Sequence, residues 1–95
     1  MSKIAVLELR RLENGSLKAF ADIQLGQTVI RDFRIIHQPG QHLWVSSPQV
    51  AWKDANGELK YKVIITFPKD LKKLIDSMIL AHYQREMGAM NGGLF

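Results

Sequence analysis

The chain has 95 residues, a formal net charge of +4 and no cysteine. Its length predicts one domain, its apolar fraction of 46% argues against disorder, and the lack of cysteine excludes disulfides, thiolate metal sites and cysteine nucleophiles. No apolar run approaches the length of a membrane span and no targeting segment is visible, so we expect a cytoplasmic protein that does not act at a membrane. The basic balance favours a polyanionic partner.

Strand patterns fill the first third of the chain. Residues 3–11 predict a strand, and Asn14-Gly15 favours a tight hairpin turn after it. Residues 17–25 and 28–36 predict two further strands, and the short turns between the three favour an antiparallel meander. Period-two alternation predicts that one face of the second strand is buried. The apolar residues on that face are Leu17, Ala19, Ala21, Ile23 and Leu25.

The next segment predicts two more strands separated by a loop. Residues 42–46 form a short fourth strand that Pro48 ends, and a polar loop then runs through Gly57. Residues 58–67 predict a fifth strand, in which apolar and lysine side chains alternate.

An amphipathic helix is predicted from about Pro68 to Glu86, with Gly88 as its stop. The fold class is therefore α+β: a small antiparallel sheet of about five strands followed by one C-terminal helix. We expect a domain over residues 1–86 and a flexible tail over residues 87–95. The helical stripe either covers its own sheet or packs on a second copy. Its members are Leu71, Leu74, Ile75, Met78, Ile79 and His82.

Side chains suited to catalysis are few. His37 and His42 flank a Pro-Gly turn and could face one metal, but no cysteine or carboxylate joins them, so turn and strand-end histidines are the favoured interpretation. The carboxylates mostly neighbour a basic residue, which is typical of a solvated surface. Neither nucleotide-binding glycine pattern nor a nucleophile elbow occurs. We therefore expect no enzyme activity, no cofactor, no metal and no small-molecule substrate.

The lysines are more informative. Three of them lie in the first turns of the predicted helix, where cations oppose the helix dipole and are easier to understand if an anion docks there. Trp52 could stack on a base or cap the core, whereas Trp44 lies inside a strand. The alternative is that the lysines form a solubilising face. The candidate nucleic-acid-binding residues are Lys53, Lys60, Lys62, Lys69, Lys72 and Lys73.

Over residues 6–86 the sequence resembles the bacterial SpoVG family of septation and sporulation regulators. No single motif is decisive, and the order and spacing of the motifs carry the resemblance. The shared residues are Leu9-Arg10-Arg11, Gly15, Leu17-Lys18-Ala19, Ala21, Ile23, Leu25, Val29-Ile30-Arg31-Asp32-Phe33-Arg34-Ile35-Ile36, Leu43-Trp44-Val45-Ser46-Ser47-Pro48, Gly57-Glu58-Leu59-Lys60-Tyr61, and Pro68 with the helix that ends near Tyr83.

The resemblance implies a homodimer that binds DNA, and in some members RNA, in transcriptional or post-transcriptional regulation of division or sporulation. It also implies that the helix and the segment before it contact nucleic acid. The chain departs from the family after Pro48, where a basic pair is usual and Gln49-Val50-Ala51-Trp52-Lys53 stands instead.

Two functions remain open. The first is a dimeric nucleic-acid-binding regulator, in which Arg31 and Arg34 are weaker candidates because a central strand pairs its charges. The second is a protein-interaction module of the division or regulatory machinery without direct nucleic-acid contact. Its support is the missing basic pair and an apolar tail that contains Met87, Met90, Leu94 and Phe95.

Overall fold

The computed structural model describes residues 3–90 and confirms the α+β class. Strands β1 to β4 form one antiparallel sheet in chain order, so the predicted meander is confirmed. The two remaining strands pair only with each other, which gives six strands in two sheets rather than about five in one. The elements are β1 (Ile4–Asn14), β2 (Leu17–Leu25), β3 (Thr28–Ile36), β4 (Trp44–Ser46), β5 (Gln49–Lys53), β6 (Leu59–Val63) and α1 (Lys69–Met90).

The helix covers one face of its own sheet. Ala19 and Ala21 of β2 are fully buried, and their small side chains let the helix approach the middle of the sheet. Ile75 and Ile79 of α1 are equally buried, and α1 contacts both edge strands, β1 and β4. The apolar face predicted for β2 is confirmed for Ala19, Ala21 and Ile23, whereas Leu17 and Leu25 at the strand ends are half-buried and lie outside the core. The helical stripe is buried within the same chain.

The stripe itself differs from the predicted one in detail. Leu74 is 51% exposed, whereas Tyr83, which was not included, is buried. The helix also continues past Glu86 to Met90, because Met87 still packs against the core. The predicted stop at Gly88 is wrong, and residues 91–95 of the expected tail lie outside the described part. No helix within residues 3–90 is long and apolar enough to span a membrane.

Two β-bulges, one on β1 and one on β3, lie beside Asp22 of β2. On β1, Val6 pairs with Ile23 and Glu8 pairs with Asp22, so one extra residue is inserted on β1. On β3, two residues, Arg31 and Asp32, stand opposite Asp22 alone. Asp32 has φ 68, a left-handed conformation that Asp adopts more readily than most residues with a side chain.

The bulges reverse the alternation of both neighbouring strands. Beyond the bulge on β1, Leu9 packs against the core, and beyond the bulge on β3, Phe33 is fully buried on the same side as Ile30. Unbroken alternation would point Ile30 and Phe33 to opposite faces. As a result, the apolar residues before and after each bulge on β1 and β3 lie on the same face of the sheet, the face that packs against the helix.

The carboxylate of Asp22 is 1% exposed and fully paired. Arg10 donates to both of its oxygens, at 2.7 and 3.0 Å, and Arg31 donates to Oδ2 at 3.1 Å. The backbone N–H of Asp32 donates to Oδ1 at 3.0 Å. The hydrogen bonds from Arg10 lower the pKa of Asp22 and outweigh the opposing effect of burial. This carboxylate is not part of the solvated surface that the sequence suggested.

The Asp22→Asn substitution tests this network. It should lower the free energy of unfolding by roughly 2–3 kcal/mol in urea titrations, because charge-assisted hydrogen bonds are lost while both arginines keep some access to water. Glu58→Gln, which neutralises an exposed carboxylate, is the control and should change it by less than about 0.5 kcal/mol. Equal effects of the two substitutions would contradict the role of Asp22.

The difference in stability between wild type and Asp22→Asn should depend on pH. Because the folded-state pKa of Asp22 is depressed, its stabilising contribution is present above the unfolded value of about 3.9 and is lost as pH falls through the folded value. The stability gap between wild type and Asp22→Asn should therefore be constant above about pH 5 and narrow below about pH 4. A gap that stays unchanged in strong acid would be inconsistent with this assignment.

Candidate nucleic-acid interface

The segment that we predicted as a loop after Pro48 is the first strand of a hairpin. Its turn is built on Asp54, whose carboxylate accepts hydrogen bonds from the backbone N–H groups of Asn56 and Glu58, both at 2.9 Å. Gly57 has φ 80, which a residue with a side chain rarely adopts. Asn-Gly is the same turn signal that correctly placed the β1–β2 hairpin, and here the sequence reasoning missed it.

The pairing of β5 with β6 defines two faces of this hairpin. Residues directly opposite each other share a face, and successive residues alternate between faces. The outer face, as we call it, carries Val50 opposite Lys62 and Trp52 opposite Lys60. The inner face carries Gln49, Ala51, Lys53, Leu59, Tyr61 and Val63.

The inner face turns toward the four-stranded sheet at one point. The guanidinium of Arg34 lies 5.6 Å from the ring centre of Tyr61 and 5.6 Å from that of Phe20. Phe20 and Asp22 both lie on the side of β2 that faces away from the helix. Because Tyr61 meets Arg34 there, the outer face points away from the body of the protein. Arg34 is thus occupied by aromatic contacts, in line with its weaker candidacy.

The hairpin holds three of the six candidate lysines, and all three are exposed. Lys60 and Lys62 lie on the outer face, and Lys53 lies at the end of β5 on the inner face. Lys60 forms a loose ion pair, with its Nζ 3.8 Å from Oδ2 of Asp54. A half-exposed pair of this kind contributes little, so the ammonium group remains available to a stronger anion.

The other three candidates lie at the start of the helix and are not equivalent. Lys69 and Lys73 are exposed. Lys72 is half-buried, and its Nζ donates to Asp76 at 2.7 Å and to the backbone carbonyl of Val45 at 3.1 Å. Lys72 therefore ties the helix to β4, which makes it a structural residue as well as a candidate.

The two groups of lysines are joined by residues 64–68. The backbone N–H of Ile64 donates to the carbonyl of Pro48 at 3.1 Å, which closes the base of the hairpin. Phe67 stacks on the buried Phe33 with ring centres 5.8 Å apart. The linker is therefore held at its start by the segment before β5 and near its end by the sheet. The lysines form two groups on separate elements, where the sequence suggested one run.

Trp52 is the residue whose role the sequence left open. It is 48% exposed on the outer face, so it does not cap the core. Its neighbour across the hairpin is a lysine rather than an apolar side chain. Recognising β5 as a strand would have revealed this arrangement.

The histidines form no group of their own. His37 and His42 are exposed, and His82 is half-buried with Nε2 3.4 Å from Glu86 Oε1. Among residues 3–90 no group of three or more His, Asp or Glu side chains is placed to hold a metal ion. His37 instead lines an open depression of about 470 Å³ with Ser16 and Lys18.

Comparisons with protein-family models, with curated proteins and with solved structures found no match to this chain.

The distinction between Lys72 and its neighbours is testable by urea unfolding. Lys72→Met keeps the aliphatic stem and removes both hydrogen bonds, so it should cost about 0.5–1.5 kcal/mol. The double substitution Lys69→Ala/Lys73→Ala should leave stability unchanged or raise it by a few tenths of a kcal/mol, because it removes cations from the positive end of the helix dipole. A larger loss in the double variant than in Lys72→Met would refute the distinction.

Proposed function

We propose that this chain is a cytoplasmic nucleic-acid-binding regulator of the SpoVG type, which binds DNA or RNA and affects gene expression and cell division, septation or sporulation. The observation that carries the proposal is the exposed lysine pair on the outer face of the hairpin, which points away from the body of the protein. Lys53 at the hairpin end and Lys69 and Lys73 at the helix start add positive charge on the adjoining elements.

Charge at these positions suits a phosphate backbone. Lysines bind phosphates as point charges without reading bases, and each neutralised phosphate releases condensed counterions. The hairpin contributes three lysines against Asp54 and Glu58, and the carboxylate of Asp54 is already used in the turn. The free N–H groups at the start of α1 favour an anion beside Lys69 and Lys73. The hairpin before the linker and the helix start after it therefore each carry exposed lysines.

A homodimer is part of the proposal. The inner face of the hairpin exposes Leu59, Tyr61 and Val63 at 55%, 56% and 47%, and burying such side chains on a second copy would be favourable. The same surface supports the alternative function, a protein-interaction module without nucleic-acid contact. The tail gives that alternative less support than the sequence suggested, because Met87 packs against the core of its own chain and Leu94 and Phe95 lie outside the described residues.

The test is a fluorescence-anisotropy titration of labelled DNA and RNA at two salt concentrations. Binding should weaken with salt, and Lys60→Ala/Lys62→Ala should weaken it and make the slope of log K against log salt shallower by about 1.4 for single strands and about 1.8 for duplex. Lys69→Ala/Lys73→Ala should act in the same direction.

The matched control is Lys18→Ala/Arg85→Ala, which removes the same charge from β2 and from the far end of α1. An equal effect in the control would mean that only net charge matters, and no binding at low salt would favour the protein-interaction module. Light scattering on the same sample, against a monomer mass of 10.8 kDa, measures the oligomeric state.

A further inference from the structure

The outer face of the hairpin combines an aromatic ring with two cations. Trp52 lies directly opposite Lys60, and Lys62 is the next residue of β6 on the same face. The two lysines are about 7 Å apart along the strand, a spacing comparable to that of successive phosphates in one nucleic-acid strand. No acidic residue belongs to this face within the paired segments 49–53 and 59–63.

The exposure of Trp52 requires an explanation. A half-exposed indole on a strand gives up much of the burial that a tryptophan normally gains, and Trp52 is not among the residues that pack against the core. Packing it against an apolar protein surface would bring the ammonium groups of Lys60 and Lys62 into that contact and strip their water. A partner that has both a flat ring and negative charge can stack on Trp52 and also pair with the ammonium groups of Lys60 and Lys62.

We infer that the outer face of the hairpin binds single-stranded nucleic acid, with Trp52 stacked on an unpaired base and Lys60 and Lys62 bound to the flanking phosphates. The inference rests on the proposed function and narrows its substrate to unpaired segments. In a duplex the faces of the bases are covered by their neighbours, so a ring on a flat hairpin reaches a base face only where the strand is unpaired. Stacking of this kind tolerates any base and gives little sequence preference.

The second tryptophan provides a matched control. Trp44 on β4 is 46% exposed, close to the value for Trp52, and lies outside the hairpin. Trp44→Phe leaves Trp52 as the sole tryptophan, and Trp52→Phe leaves Trp44. The emission of each variant therefore reports on one position.

The experiment titrates both variants with an unlabelled oligothymidylate of about 15 nucleotides, and with a blunt duplex of equal length. The single strand should quench the emission of Trp44→Phe in a saturable manner and leave that of Trp52→Phe unchanged. In parallel anisotropy titrations, Trp52→Ala should weaken single-strand binding by about 5- to 150-fold, and Trp44→Ala should not. The duplex should not quench the emission of Trp44→Phe, and Trp52→Ala should change the affinity for the duplex only slightly.

The outcomes separate this inference from the proposed function. Salt-dependent anisotropy binding without quenching of Trp44→Phe would overturn the stacking role and leave the regulator proposal standing. Equal quenching by duplex would overturn the preference for unpaired strands. No binding of either probe at low salt would overturn both. Trp52→Phe, which keeps an aromatic ring, should lose less affinity than Trp52→Ala, and equal losses would indicate a structural role.

Discussion

Asp22 is a charged side chain on an interior strand with 1% of its surface exposed, and a carboxylate there requires full pairing. The pairing comes from both neighbouring strands: Arg10 on β1, and Arg31 with the backbone of Asp32 on β3. Each of these strands carries an extra residue beside Asp22. The two bulges turn the polar groups toward the carboxylate and return the following apolar residues to the core. The register of the four-stranded sheet, and the apolar face that the helix covers, therefore depend on this one buried charge.

The same sheet holds the hairpin in place. Its side away from the helix presents Arg34 between Phe20 and Tyr61, and its covered side buries Phe33, on which Phe67 stacks. These two contacts fix the hairpin and the linker to opposite sides of β3. The hairpin is thereby attached to the sheet through its inner face, while its outer face stays exposed. A basic surface carried by a paired element and held at its base is better preorganised than one on a free loop.

Alternation predicted the meander and the buried face of β2 because Ala19, Ala21 and Ile23 follow period two without interruption. Alternation did not predict the role of Asp22, because a single acid on the opposite face does not reveal that Arg10 and Arg31 pair with it. It also failed at β5, where Pro48 and the polar residues near Asp54 concealed a strand. The candidate lysines could be found from charge alone. Their separation into exposed residues and the half-buried Lys72 depends on the carbonyl of Val45, a contact across the fold that local sequence does not contain.

Binding of nucleic acid to the outer face of the hairpin can be observed residue by residue in amide and indole NMR spectra recorded during addition of oligothymidylate. We expect shift changes in residues 49–63 and in the indole N–H of Trp52, with smaller changes at Lys69 and Lys73. The indole of Trp44 and the amides around Asp22 should stay in place. Changes centred on β1 or on the C-terminal half of α1, with the hairpin signals unmoved, would contradict binding at this face.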